Sequence, residues 1–438
     1  MARTDTLGHF LTDIADAIRT KGGTSADIQA SSFDTAIANL PSGGGTTEVE
    51  EKDVNFYDYD GTCLYSYTKA EFLALDSMPN NPSHEGLISQ GWSYTLQEAK
   101  NVVTEWGMLD IGHYFVTNDG ATRIYIDLSN GVALSPYLGF CLNGTATIDW
   151  GDNTSEVVTG TDITTILKFP HTYSTNGKYV ISISGGTILF KSSSTSNDPS
   201  LILSPNELTS KYWLNVYAQT IYKVEIGNNM SKFGDYAFYR IYCLKIVTTP
   251  LNITEFSSNN IFTGSGLRYY VVPKVDSMST NCFVGCHSLE KATFSSVTTQ
   301  IGGFSSNYAL KRITAPFSSL TKGSTFDGCY SLMTAILDGT GTIIQTAYFG
   351  QCSSLTSIVI PATITRIRTG VFAQCYSLKK VDFTKLTAVP TLDNVNTFTN
   401  IPDDCKFVVP DDLYNSWITA NNWSSLTSHI VKESDYNN

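Results

Sequence analysis

The chain has 438 residues, more than the ~100–200 of one ordinary domain, so two to four folding units are expected and there is ample length for a core. Aromatic residues make up 12% of it and charged residues only 16%, leaving Ser, Thr, Asn and Gly to supply the polar surface, a balance typical of extracellular or virion β-rich proteins. Forty acidic against twenty-eight basic residues give a formal charge of −12 without any Lys/Arg cluster, which argues against nucleic acid or another polyanion as partner.

The opening Met1–His9 lacks the apolar core of a signal peptide, and no stretch approaches the ~20 apolar residues of a bilayer span. Export by the general secretory route and membrane insertion are therefore not expected.

Residues 1–45 read as a helical hairpin and a linker. Leu11, Ile14, Ala15 and Ile18 recur at helical spacing, Gly22-Gly23 breaks the run, and Phe33, Ala36, Ile37 and Leu40 repeat the pattern. Ser31 or Ser32 offers an N-cap, and Pro41-Ser-Gly-Gly-Gly45 closes the second helix into a flexible linker. Two such short helices bury little alone and call for a partner, another copy of the chain or a docking site. The segment Leu11–Arg19 through Phe33–Ile37 resembles an N-terminal module of bacteriophage tail-associated proteins of Gram-positive hosts. That resemblance implies attachment to other tail or baseplate proteins of a virion, with the rest of the chain projecting.

Residues 46–105 read as a small α+β segment. Val54–Tyr57 and Leu64–Tyr67 flank Asp58-Tyr-Asp60-Gly61-Thr62, and a helix follows with Ala70, Phe72 and Leu73. A strand followed by DxDGT is also the nucleophile motif of haloacid-dehalogenase-type phosphatases, where one Asp attacks phosphorus and carboxylates hold Mg²⁺. Such enzymes need a doubly wound parallel sheet with a later Lys and acidic pair. Here another short alternating segment follows at once, so Asp60-Gly61 is expected to be a hairpin turn.

Residues 106–195 alternate as strands at Thr122–Ile126, Thr145–Asp149 and Gly177–Ile183. Trp150-Gly151-Asp152-Asn153-Thr154 followed by His171-Thr-Tyr173 and Gly177-Lys-Tyr179 resembles the PKD-type immunoglobulin-like sandwich, which implies a spacer or adhesion module. His171 is expected to be a structural hydrogen-bonding residue, since no Ser or Cys in a nucleophile elbow accompanies it.

Residues 196–438 are dominated by self-similarity, the mark of a solenoid. Phe followed by Leu six residues on (five in one copy) recurs at 238/244, 262/267, 283/289, 304/310, 326/332, 349/355 and 372/378, at intervals of 21 to 24 residues. The copies Phe283-Val-Gly-Cys286-His-Ser-Leu289, Phe326-Asp-Gly-Cys329-Tyr-Ser-Leu332 and Phe372-Ala-Gln-Cys375-Tyr-Ser-Leu378, completed in one unit by Ile358-Val-Ile-Pro361, Ile364 and Ile367, resemble the BspA-like leucine-rich repeat.

Most of the nine cysteines follow this repeat. They are expected to be reduced, inward-facing thiols that meet carbonyls of the adjacent coil, not disulfides or metal ligands, and no cofactor is implied. Asn307 and Ser265 at the same position make the thiol dispensable.

In each short strand Leu and the residues three and five later face inward, so the residues two and four later face outward. The outward positions Tyr269, Val271, Lys291, Thr293, Arg312, Thr314, Thr334, Ser357, Lys380 and Asp382 are the candidate ligand-binding face, about 30 Å long at ~4.8 Å per strand. The convex side or the Tyr-rich loops are alternatives. Cys405–Pro410, Asp411–Trp417 and Asn421–Leu426 resemble the terminal cap of this repeat class, with Trp417 and Trp423 as cap core.

The expected architecture is multidomain and mainly β: helical hairpin, small α+β segment, immunoglobulin-like β-sandwich and leucine-rich-repeat solenoid. The expected function is non-enzymatic: a phage tail-fibre or baseplate-associated virion protein whose solenoid binds a host-surface glycan or protein. Homo-oligomers are expected by analogy with tail parts. A virion decoration or collar protein contacting only other virion proteins is the alternative, and a bacterial surface adhesin the third reading.

Overall fold

The computed structural model describes residues 49–129, 135–191 and 218–436, apart from 257, 276–277, 280, 296–302, 317–322 and 339–340. The chain divides into two compact units at Glu50, and the described residues fall almost entirely in the second. The helices expected between Leu11 and Leu40 lie outside the described residues.

The second unit opens with β1 (Val54–Tyr57), β2 (Cys63–Tyr67), α1 (Lys69–Leu73), β3 (Leu87–Trp92), α2 (Leu96–Trp106) and β4 (Leu109–Thr117). Both helices start on Thr-x-x-Glu capping boxes, Thr68/Glu71 and Thr95/Glu98, in which the Thr hydroxyl accepts from the N3 amide and the Glu carboxylate from the cap amide. The strands order β2-β1-β4-β3, with β1 parallel to β4 and the other pairs antiparallel. Phe56, Phe72, Trp92, Tyr94 and Val103 form the core between this sheet and its helices. The boundary expected at 106 is thus misplaced: β4 is a central strand of the first sheet, because its β1 partner comes from the segment before it.

Next come β5 (Thr122–Asp127), β6 (Tyr137–Asp149), β7 (Ser155–Pro170), β8 (Lys178–Leu189), β9 (Ile221–Glu225) and β10 (Ile246–Val247). Instead of two facing sheets, these strands join in one sheet ordered β10-β9-β5-β8-β6-β7. The reason is β5, whose one edge pairs with β8 and whose other pairs antiparallel with β9, the first strand of the solenoid. The corner that carried the PKD resemblance is nevertheless tightly built. His171 stacks on Trp150 with ring centroids 4.4 Å apart, its Nε2 lies 2.9 Å from Asp152 Oδ2, and the Tyr173 hydroxyl donates to the Trp150 carbonyl at 3.0 Å.

The solenoid strands are β11 (Tyr269–Val271), β12 (Lys291–Thr293), β13 (Arg312–Pro316), β14 (Thr334–Asp338), β15 (Ile343–Ile344), β16 (Ser357–Val359), β17 (Arg366–Ile367), β18 (Lys380–Asp382), β19 (Thr391–Leu392), β20 (Lys406–Val409) and β21 (Ile430–Lys432). They form two parallel main sheets, β11-β12-β13-β14 and β16-β18-β20-β21, and a minor sheet β15-β17-β19. Inside, the phenylalanines stack coil on coil: 283 on 304 at 5.0 Å, 326 on 349 at 5.6 Å and 349 on 372 at 5.9 Å. Phe398 adds a rung at 5.6 Å from Phe372.

Beside the rings runs the thiol ladder. Cys286, Cys329, Cys352 and Cys375 donate to the carbonyls of Phe262, Phe304, Phe326 and Phe349 in the preceding coil, at 3.0 to 3.2 Å. At the Asn307 rung the side-chain amide donates within its own coil, to the Phe304 carbonyl at 2.8 Å. The C-terminal end is covered by α3 (Tyr414–Thr419), α4 (Glu433–Tyr436) and the fully buried Trp417 and Trp423, whose rings lie 4.5 Å apart. Hydrophobic packing runs unbroken from Ile124 to Ile430, so the β5–β10 sheet and the coils share one core.

Candidate functional site

The strand register places the outward rows as the repeat spacing requires. Tyr269 pairs with Lys291, Lys291 with Arg312 and Arg312 with Thr334, while Ser357 pairs with Lys380. The intervening Tyr270, Ala292, Ile313, Ala335, Ile358 and Val381 are buried inward. The first of these rows is nevertheless closed to a ligand, because the chain covers it with its own α+β sheet.

The cover is built by β1 and β4. Tyr57 packs on Tyr269 with centroids 5.7 Å apart, the Tyr114 hydroxyl donates to the Val272 carbonyl at 2.9 Å, and the Asp110 amide donates to Thr314 Oγ1 at 2.9 Å. Arg312 sets its Nε 3.1 Å from Asp110 Oδ2 and donates through Nη2 to the Asp53 carbonyl at 2.7 Å. Lys291 pairs with Glu51 and sits 4.5 Å over the Tyr57 ring. Burial pushes the Asp110 carboxyl up, while the Arg312 guanidinium and the Asn55 amide pull it down. At Gly112 an added Cβ would come within 2.2 Å of Thr293 Oγ1 and 2.8 Å of the Tyr269 hydroxyl, so the two layers meet there backbone to side chain.

Tyr269 and Val271 are 3% exposed, Thr314 1% and Thr293 not at all. These four, with Lys291 and Arg312, therefore serve an internal interface, which corrects the expectation that they line an open face. Farther along, Lys380 and Asp382 pair with each other at 2.8 Å, and Lys380 lies 4.9 Å over the Tyr436 ring. Thr334 is half-buried and Ser357 remains exposed.

Also open is the edge of the solenoid. The residue four after each repeat Phe is Tyr242, Gly266, His287, Tyr308, Tyr330, Ser353 or Tyr376. His287 stacks on Tyr308 at 4.3 Å and Tyr308 on Tyr330 at 5.0 Å, with planes 10° and 17° apart. Tyr242, Tyr308, Tyr330 and Tyr376 are 41% to 57% exposed, unusual for large aromatics in a row. The aromatic between Cys and Ser-Leu in the best repeat copies was the signal for this row.

The Asp58-x-Asp60-Gly61 motif is a turn. Asp58 receives the Tyr59 amide at 2.7 Å and pairs with His84 at 2.7 Å, Asp60 receives the Thr62 amide, and Gly61 takes φ +90° against the Tyr269 side chain. Among the described residues no three His, Cys, Asp or Glu side chains converge to hold a metal ion. No helix among them is long and apolar enough to cross a membrane.

Residues 215–332 and 279–401 match the family described as the BspA type Leucine rich repeat region, in six copies. The chain thus carries BspA-type leucine-rich repeats, repeats that typically serve as non-enzymatic binding scaffolds. No curated protein matches it. A leucine-rich repeat protein from Bacteroides ovatus of known crystal structure is similar over 57% of this chain and 95% of its own, at 14% identity and a TM-score of 0.19.

Proposed function

We propose that this chain of BspA-type repeats is a non-enzymatic surface-recognition protein whose contacts lie along the solenoid edge rather than on its main sheet. The observation that carries this reading is the exposed aromatic row beside a first main sheet that the chain itself occupies at β11–β13. Large aromatics held rigidly by a repeat scaffold supply contact area at small entropic cost, as recognition surfaces require. The finer reading is a virion component of a phage tail or baseplate, with host-surface binding through the solenoid; its support is the resemblance of residues 11–37 to tail-associated modules.

The test uses the whole chain, incubated with intact cells and cell walls of a panel of Gram-positive bacteria. Saturable binding to a subset of strains is the expected result. Uniform failure to bind, with the protein folded, would remove the recognition role.

A second reading, a decoration or collar protein that contacts only other virion components, is favoured by the covered sheet face. Electron microscopy of immunolabelled particles separates the two: a projecting solenoid supports recognition, a solenoid buried in the assembly supports architecture.

A further inference from the structure

Strand β7 is the outermost strand of its sheet, and among the described residues nothing pairs with its far edge. An open strand edge is a template for another chain, and proteins guard such edges with bulges, prolines, charges or short strands. Other outer strands here are guarded in these ways: β2 and β3 each carry a bulge, at Leu64 and at Gln90, and β21 has three residues. The second half of β7 is guarded too. Its register on β6 jumps from Leu142 with Asp162 to Cys141 with Ile166, so residues 163–165 bulge out, held by the Thr164 and Thr165 amides on Asp162 Oδ1 at 2.7 and 2.8 Å. Past the bulge the His171 amide donates to the Pro136 carbonyl, which by alternation turns the backbone of Lys168 and Pro170 to the free side. Pro170 has no N–H to offer there, and Lys168 is exposed.

The first half, Ser155–Thr161, has no proline, lysine or bulge. The Trp150 amide donates to the Thr154 carbonyl at 3.0 Å, so the hydrogen-bonding groups of Glu156, Val158 and Gly160 face β6 and those of Ser155, Val157, Thr159 and Thr161 face outward. Val157 is 71% exposed, more than any other large apolar residue among those described.

This run is complementary to itself. Laid antiparallel on a copy with Val158 at the two-fold axis, Ser155 meets Thr161 and Val157 meets Thr159 as hydrogen-bonded pairs, and every outward backbone group is satisfied. The two Val157 side chains become diagonal neighbours on the outer face. Val158, at the border of the core, faces its own copy, and Glu156 faces Gly160, which has no side chain to oppose it. Other registers that keep the hydrogen-bond phase fit worse. An axis at Val157 sets Glu156 against Val158, and an axis at Thr159 sets Glu156 against Asp162, like charges directly opposite. There is also room for the copy, because β5, β8 and β6 separate β7 from the first solenoid strand β9, a distance of ~19 Å at ~4.8 Å per strand.

We infer that the chain forms a two-fold dimer through the Ser155–Thr161 edge of β7, joining two six-stranded sheets into one continuous sheet with a solenoid at either end. The partner is a second copy of this chain, and the inference is independent of what the solenoid edge recognises. A single short strand pairing buries less than the ~1,600 Å² of a standard interface, so the association belongs in the micromolar range.

The experiment measures the mass of the full chain by sedimentation and light scattering over a concentration series reaching ~100 μM, well above that range. Val157→Lys adds a charge at an exposed position beside the axis, and Thr159→Pro removes an outward N–H while leaving the pairing with β6 intact. Circular dichroism and thermal melting verify that each is folded. A mass that rises with concentration in the wild type, and is halved or shifted to at least tenfold higher concentration in both variants, is expected. Val158→Cys in a Cys243→Ser background, oxidised with copper phenanthroline, reads the register, since a non-hydrogen-bonded pair on the axis has the Cα separation a disulfide needs. A disulfide joining the two substituted positions is expected. A wild-type chain that stays monomeric throughout, or association unchanged in both folded variants, overturns the dimer, and a dimer that forms no such disulfide overturns the register.

Discussion

The cysteines show how a residue's chemistry is set by its place in a coil. Burial pushes the thiol of Cys286 up to about 11 and those of Cys329 and Cys375 up to about 12, with Cys352 well above its ordinary range. Since the thiolate is the reactive form, the ladder is inert in the folded chain. Brief iodoacetamide treatment followed by mass spectrometry is expected to modify exposed Cys243 first and the ladder only after denaturation. Another buried group makes the fold acid-sensitive. His113 is wholly buried between Trp92 and Phe115, with Nε2 3.2 Å from both Ser89 Oγ and Asn81 Oδ1, and burial lowers its pKa from 6.5 to about 4. Between those values the unfolded chain binds more protons than the folded one. Its contribution is therefore complete above pH ~6.5 and is lost as pH falls toward 4, by on the order of 3 kcal/mol at most. Urea titrations across that window should show the decline, and a pH-independent midpoint would refute this assignment.

Among the elements, the repeats were legible because one period fixes many positions at once: the inward Leu and Phe, the thiol and the register of each strand follow from a single alignment. The cover was not legible in the same way, since Asp110 and Arg312 lie on elements far apart in sequence and neither carries a mark of its partner. Two local signs did exist. Strand β4 is buried at every residue, and β11 with the residue after it reads Tyr269-Tyr270-Val271-Val272, apolar side chains on both faces, the pattern of a strand packed on both sides. Arg312→Ala leaves Asp110 buried without its cation, so a loss of ~3–5 kcal/mol is expected, against little change for the half-exposed Thr334→Ala. Chemical denaturation measures both, and an Arg312→Ala variant as stable as wild type would contradict the interface. The edge row was partly legible, in the Tyr and His before Ser-Leu; its openness depended on knowing which other face was filled.

At the scale of the whole molecule, the solenoid is closed at both ends by different devices. Strand β5 pairs along β9 at one end, while Trp417 and Trp423 plug the other. A fragment of residues 195–438 loses the first closure and the cover together, exposing the β9 edge and apolar Tyr269 and Val271. It is expected to aggregate or to melt well below the full chain, as uncapped repeat arrays do. Size-exclusion chromatography and a thermal melt decide this, and a soluble monomer as stable as the full chain would show the α+β cover to be dispensable.

The break between the two main parallel sheets has an evolutionary consequence. Strands β11, β12 and β13 are each matched to β4 of the layer above them, so that stretch works as a ruler and a coil gained or lost there would put Arg312 out of step with Asp110. No hydrogen-bonded pairing joins β14 to β16 among the described residues, and the cover's main anchors lie before that point. Variation in repeat number among relatives of this chain therefore belongs between β14 and β18, where it would lengthen the aromatic edge and leave the Arg312–Asp110 register intact, losing only the contact of Lys385 with Glu105 and the Trp106 ring.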